Sequence, residues 1–290
     1  MSATLLQYQQ APGLLSQYRR AFFAKGKKGA TALPQVEAQL KQVSINAKKA
    51  AAYANVCGFK GYKDQATLTY PHILAFPLHM ELMLHRDFPF ALMGLVHIRN
   101  KVTQHRAIKL NEKLDIRCFF GTLIESDKGL EFDIFTEVRI NGELVWESVS
   151  TNLKRQKTSR SKAKRARSEQ LRFNVQEPWS LATDLGRRYA RVSGDSNPIH
   201  LFSLTAKLFG FKGHIAHGMW SKARAAATLY PLLNSDRCEL NVEFKQPVFL
   251  PCKLDLYWNP VKSQTPAGTH FELRDKNSDK CHMQGLIRTF

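Results

Sequence analysis

An aspartate, an asparagine and a histidine crowd into one stretch of this 290-residue chain, Ser193-Gly194-Asp195-Ser196-Asn197-Pro198-Ile199-His200. Asn197-Pro198 reads as a helix start. The asparagine side chain accepts from otherwise orphaned backbone N–H groups, and proline fits the first helical position. His200 then falls at the third helical position and Asp195 on the turn just ahead of the cap. This spacing brings a carboxylate and an imidazole to one rim of a helix N-terminus, where the two can hold a single water molecule. Asn197 can orient Asp195 or simply cap the helix, and the residues alone leave both roles open. Further on, the glycine-punctuated loop Gly213-His214-Ile215-Ala216-His217-Gly218 opens an alanine-rich helix. The unobstructed amide of Gly218, aided by the helix dipole, suits an oxygen on which negative charge develops.

Those residues need a frame, and the chain provides two similar halves. Tyr53-Ala54-Asn55-Val56-Cys57-Gly58 is echoed 136 positions later by Tyr189-Ala190-Arg191-Val192-Ser193-Gly194, and Lys113-Leu114-Asp115-Ile116 is echoed 140 positions later by Lys253-Leu254-Asp255-Leu256. Two echoes in one order at nearly one offset indicate a duplication. Helical patterns precede each YAxVxG-like echo, over 47–53 and 179–189. A second helix follows in each half, over 78–84 after Pro77 and over 219–229 after Gly218. Alternating apolar and polar residues then predict strands at 91–98, 113–124, 130–140 and 144–153, with Asn141-Gly142 as a hairpin turn. The second half predicts strands at 239–244, 253–258, 270–273 and 282–289. Helices followed by an antiparallel meander define an α+β class in which one long helix packs on a curved sheet. Ala223, Ala225, Ala226 and Ala227 suit such a helix, because small side chains let the sheet approach. Residues 1–34 form an N-terminal extension with apolar residues in short helical patterns broken at Pro12-Gly13. Residues 35–153 make the first repeat, 154–168 a basic linker and 169–290 the second repeat.

The run YARVSGDSNPIH, followed by GHIAHGM from Gly213, resembles the signature of the MaoC-like dehydratases, which include the R-specific enoyl-CoA hydratases. The resemblance implies a double hot-dog fold, in which each repeat is a long helix wrapped by a curved antiparallel sheet. It implies that Asp195 and His200 are the catalytic dyad and that the Gly218 amide polarises a thioester carbonyl. Asn197 and His217 support them, and Ser193, Gly194, Ile215 and Ala216 are expected to bind substrate. The implied activity is reversible hydration of trans-2-enoyl thioesters, or dehydration of (R)-3-hydroxyacyl thioesters, carried by CoA or acyl carrier protein in fatty acid or related acyl metabolism. The first-half segment YPHILAFPLHM, from Tyr70, resembles the companion hot-dog of two-hot-dog members. Carrying the 136-residue offset back sets Phe59 opposite Asp195 and Asp64 opposite His200. A single catalytic site in the second repeat is therefore expected. His214 departs from the family, many members having proline there.

Other readings are weaker. His214-x2-His217 has no acid or cysteine at ligand spacing in the sequence, so no metal is expected. No dinucleotide, phosphate or nucleophile-elbow motif is present, and the hydration chemistry calls for no cofactor. Net charge is +19, from 43 Lys+Arg against 24 Asp+Glu. Much of it lies in residues 1–30 and in the run KRQKTSRSKAKRAR at 154–167, which reads as a solvated tether. That run also suits an acidic carrier. Nucleic acid is disfavoured, because few aromatics interleave with the basic residues. Five scattered cysteines without a CxxC pattern point to free thiols. The sequence shows no apolar run of membrane-spanning length and no secretory pattern at its start, giving a cytoplasmic expectation. A hot-dog thioesterase and a non-catalytic basic binder are the alternative functions. A homodimer stays open, since two fused hot-dogs can form the usual paired unit within one chain.

Overall fold

The computed structural model of the chain describes residues 3–24, 26, 32–158, 172–260, 268–278 and 280–290. The larger part of the basic run at 154–167 lies outside the described residues.

In the first half, β2 (Val36–Ser44), α2 (Ala47–Cys57), α3 (Tyr70–Met83), β3 (Leu95–Gln104), β4 (Lys113–Ser126), β5 (Gly129–Ile140) and β6 (Glu143–Arg155) follow one another. The second half runs β7 (Val175–Leu181), α4 (Leu185–Ser193), a 3-10 turn Pro198–His200, α5 (Ser203–Leu208) and α6 (Gly218–Leu229). It closes with β8 (Cys238–Phe244), β9 (Cys252–Trp258), β10 (Gly268–Asp275) and β11 (Cys281–Thr289). All ten of these strands lie in one sheet, in the order β2-β4-β5-β6-β3-β8-β11-β10-β9-β7. Numbered within its own half, each set of five has the order first, third, fourth, fifth, second. The sets meet where β3 pairs antiparallel with β8, from Arg99 opposite Glu243 to Gln104 opposite Cys238. The architecture is α+β and is that of a double hot-dog: α3 and α6 are the two long helices, each packed on its own half of the sheet.

Sequence dictates most of these elements locally. Both α2 and α4 end at a glycine in the left-handed region, Gly58 at φ 79° and Gly194 at φ 76°, where a side chain would be strained. Their inner tyrosines, Tyr53 and Tyr189, are buried with ring centroids 6.0 Å apart. On α6, Ala223, Ala225 and Ala226 have no exposed surface, so the backbone lies close on the sheet. The Trp220 indole N–H donates to the Val56 carbonyl at 3.0 Å, tying α6 to α2 of the other half. Phe88 and Phe90, on the loop after α3, pack against Phe132 with centroids 5.5 and 5.8 Å away and belong to the core.

Several boundaries differ from the sequence reading. The first long helix starts at Tyr70 rather than after Pro77, with Pro71 near its N-terminus and Pro77 inside. A buried helix lacks the apolar periodicity that would mark its length, and α3 buries residues on every side. The helix expected over 179–189 divides into β7 and α4. Pro178 sits within β7, which a proline tolerates because β7 is an edge strand. Strand β3 spans Leu95–Gln104 rather than 91–98, and β2 was not foreseen. The N-terminal segment around Leu5 and Leu6 is strand β1 (Thr4–Tyr8), not helix, and it pairs parallel to the outer edge of β2. Helix α1 (Leu14–Phe23) does form beyond Pro12-Gly13 and packs on α3.

Candidate active site

The αL glycine that ends α4 releases the chain into the turn that carries Asp195. The Asp195 backbone N–H donates to Ser193 Oγ at 3.1 Å, and its carboxylate Oδ1 accepts the Asn197 N–H at 3.2 Å. Asn197 in turn caps the 3-10 turn, its side-chain oxygen accepting the Ile199 N–H at 3.3 Å. The expected helix start is present, but it continues for one 3-10 turn only before α5 begins. The Asn197 side chain thus caps the turn, while its backbone N–H, not its side chain, bonds Asp195.

His200 is buried, and its Nδ1 lies 2.9 Å from the Ile215 carbonyl oxygen. A carbonyl only accepts, so Nδ1 carries the proton and Nε2 is left with a lone pair. The same logic applies to His217, whose Nε2 lies 3.0 Å from the Asp195 carbonyl oxygen. Its Nδ1 is then the acceptor, buried and without a hydrogen-bond partner among the described residues. The two imidazoles stack with centroids 3.8 Å apart. Asp195, His200 and His217 each bring one ligand atom to within 4.8 Å of the others. Folding therefore gathers an acid and two imidazoles that the linear spacing around His217 did not show. Such a trio is also compact enough to hold a metal ion.

Electrostatics agree with this assignment. Burial opposes the Asp195 anion, but His217, His200, the Tyr18 hydroxyl and the Asn197 amide outweigh it and hold the carboxyl below its ordinary value. Burial lowers the His200 pKa despite the pull of Asp195, and burial with His200 beside it brings His217 down to about 3. The site at neutral pH holds one carboxylate and two neutral rings.

Gly218 is the first residue of α6 and His217 is its N-cap. The Gly218 amide is among the N–H groups that an α-helix leaves without an intrahelical acceptor, and the sequence reading aimed it at a developing oxyanion. Ile215 supplies its carbonyl to His200, while the Ala216 N–H is bonded to the Val248 carbonyl at 2.8 Å. His214 is held by Ser203 Oγ at 2.8 Å and the Thr183 carbonyl at 2.8 Å, which engages both its nitrogens. In the first half, Phe59 is buried at the position offset from Asp195.

Sequence reasoning missed two contributors. Tyr18 of α1 donates its hydroxyl to Asp195 Oδ1 at 2.6 Å across 177 positions, and no local signal connects them. Gly186 near the start of α4 faces the His200 carbonyl oxygen, which would stand 1.9 Å from any Cβ there. A glycine inside a helix, unfavourable by propensity, was a legible hint of such close approach.

Residues 161–279 match the MaoC like domain. Over 259 residues the chain is 34% identical to 3-hydroxyacyl-thioester dehydratase X of Mycobacterium tuberculosis, covering 88% of this chain and 90% of that protein. The chain belongs to the MaoC-like dehydratase family. This MaoC-like protein is a hydro-lyase. The crystal structure of HtdX of Mycobacterium tuberculosis superposes with a TM-score of 0.75 at 32% identity, covering 88% of this chain and 100% of that one. A MaoC-like dehydratase from Phytophthora capsici shares the fold with a TM-score of 0.71 at 18% identity, covering 88% of this chain and 94% of that one. No helix among the described residues is long and apolar enough to cross a membrane.

Proposed function

We propose that this protein interconverts 3-hydroxyacyl and trans-2-enoyl thioesters, of the (R) series, with the acyl group carried on CoA or acyl carrier protein. The observation that carries the reading is the convergence of Asp195, His200 and His217 at the N-terminus of the helix that begins with Gly218. The relative from Mycobacterium tuberculosis, a 3-hydroxyacyl-thioester dehydratase by name, supports the substrate class.

In hydration, a water donates its two protons to Asp195 Oδ2 and His200 Nε2, leaving an oxygen lone pair for the substrate Cβ. As the C–O bond forms, the double-bond electrons move toward Cα and charge gathers on the thioester oxygen. The Gly218 amide meets that charge, a donor of the kind whose loss typically costs about 2.7–4 kcal/mol of transition-state stabilisation. One water proton passes to the Asp195–His200 pair and the equivalent proton is delivered to Cα, so the thioester gains one whole water. Dehydration retraces these steps. Ser193 Oγ and the Ile215 carbonyl position Asp195 and His200, and with Gly194 and Ala216 they are the residues expected to meet the substrate.

Asp195→Asn tests the reading directly. It keeps the acceptor for the Asn197 N–H while removing the base, so hydration of crotonyl-CoA, followed at the conjugated thioester band, should fall about 1000-fold with the melting temperature little changed. Turnover within tenfold of the parent would overturn the assignment.

A further inference from the structure

The N-terminal extension does more than cover an edge. Strand β1 extends the sheet beside β2, and α1 is then clamped to α3 through the buried Glu81 carboxylate. Glu81 accepts from Gln17 Nε2 at 2.8 Å, Arg20 Nη1 at 2.7 Å and the Tyr8 hydroxyl at 3.3 Å. Gln17 Nε2 also donates to the Pro77 carbonyl at 2.8 Å. Fixed on that side, α1 sets Leu14 against Gly194 and points Tyr18 at Asp195. The Tyr18 hydroxyl lies 2.6 Å from Oδ1, the same oxygen that takes the Asn197 N–H at 3.2 Å.

We propose that Tyr18 is a positioning residue for the catalytic carboxylate: with the Asn197 amide it saturates Asp195 Oδ1, fixes the carboxylate rotamer and leaves Oδ2 as the oxygen that exchanges a proton with water. The inference rests on the reading of Asp195 as the base. A phenol serves here because it donates strongly to a carboxylate yet keeps its own proton. Burial and the adjacent anion raise the Tyr18 pKa far above its ordinary value. The other titratable groups that bear on Asp195 are His217 at the α6 cap, His200 in the 3-10 turn, Tyr189 on α4 and His97 on β3. None of the four is altered by a change at residue 18.

Tyr18→Phe keeps the ring and deletes the donor. The parent and the variant are compared by the pH dependence of crotonyl-CoA hydration, with thermal melts as the folding check. Loss of a hydrogen bond to an anion should move the acid limb of kcat/KM upward by about one pH unit and lower kcat about tenfold, with KM changed less. An unmoved acid limb, or kcat within twofold of the parent, would overturn the proposal. Should Tyr18→Phe fail to fold, Glu81→Gln decides: weakening the clamp on α1 should move the same limb in the same direction, and an unmoved limb overturns the idea. Asp195→Asn separates the two readings. If that variant stays active, the base assignment fails. If it is dead while Tyr18→Phe is unchanged, only the positioning role fails.

Discussion

At the scale of single residues, two backbone carbonyls decide the chemistry. The Ile215 and Asp195 carbonyls each take an imidazole N–H and thereby turn His200 Nε2 and His217 Nδ1 into acceptors. With Asp195 ionised, its carboxylate and the bare Nε2 of His200 are two acceptors that suit a small donor such as water. The pH dependence has a definite sign. In the proposed mechanism Asp195 acts as the anion and His200 as the neutral ring, and both pKa values lie below their ordinary values. Activity is thus complete across neutral pH and is lost only as pH falls through these depressed values. A kcat/KM profile should show no inflection at the ordinary imidazole value of 6.5; a break there would mean that His200 titrates freely. Much of this site was legible in the sequence. SGDSNPIH marks the turn and the cap because capping chemistry is local. Tyr18 was not legible, since its contact depends on where a separate helix docks.

At the scale of elements, the site hangs on the approach of α4 to the 3-10 turn that carries His200. Gly186 permits it, with the His200 carbonyl 1.9 Å from where a Cβ would stand. Gly186→Ala should push that turn outward, lowering stability by about 1–3 kcal/mol. The activity loss should exceed what the unfolded fraction explains, since the Ile215 carbonyl would no longer meet His200 Nδ1. Chemical denaturation and kcat measured on the same preparation check this. The glycine caps of α2 and α4 and the alanine face of α6 could be read from spacing, as could the meanders β4–β6 and β8–β11 in outline. The start of α3 could not. His72, Ala75, Leu78 and Leu82 are all buried, and a helix enclosed on every side has no polar stripe to reveal its period. Strand β7 was masked by Pro178, which the edge position excuses.

At the scale of the whole molecule, the two halves enclose polar groups as well as apolar ones. Lys222 of α6 is fully buried and donates to Asn100 Oδ1 of β3, while Asn100 Nδ2 donates to Ser150 Oγ at 3.0 Å. Burial pushes the Lys222 pKa well below its ordinary value. Burial likewise pushes His79 down to about 3, His97 down to about 4 and His72 well below its usual range. The unfolded chain binds protons at these groups that the folded chain refuses. The histidine contribution is therefore present above pH 6.5 and is lost as pH falls from there toward their folded values. For Lys222 the same imbalance persists up to its ordinary value near 10.5, so stability rises with pH through that window. Lys222→Met should flatten the rise of stability with pH on the approach to pH 10, where one such group adds at most about 1.4 kcal/mol per pH unit. Denaturant midpoints across that range measure it, and an unchanged slope would show that the lysine is charged in the fold.

The β3–β8 pairing ties the first half to the second in a way unrelated to substrate. Without β3, strand β8 after α6 would present an unpaired edge from Cys238 to Glu243, a template for stray polypeptide. The first half thus seals an adhesive border that the second half, standing alone, would leave open.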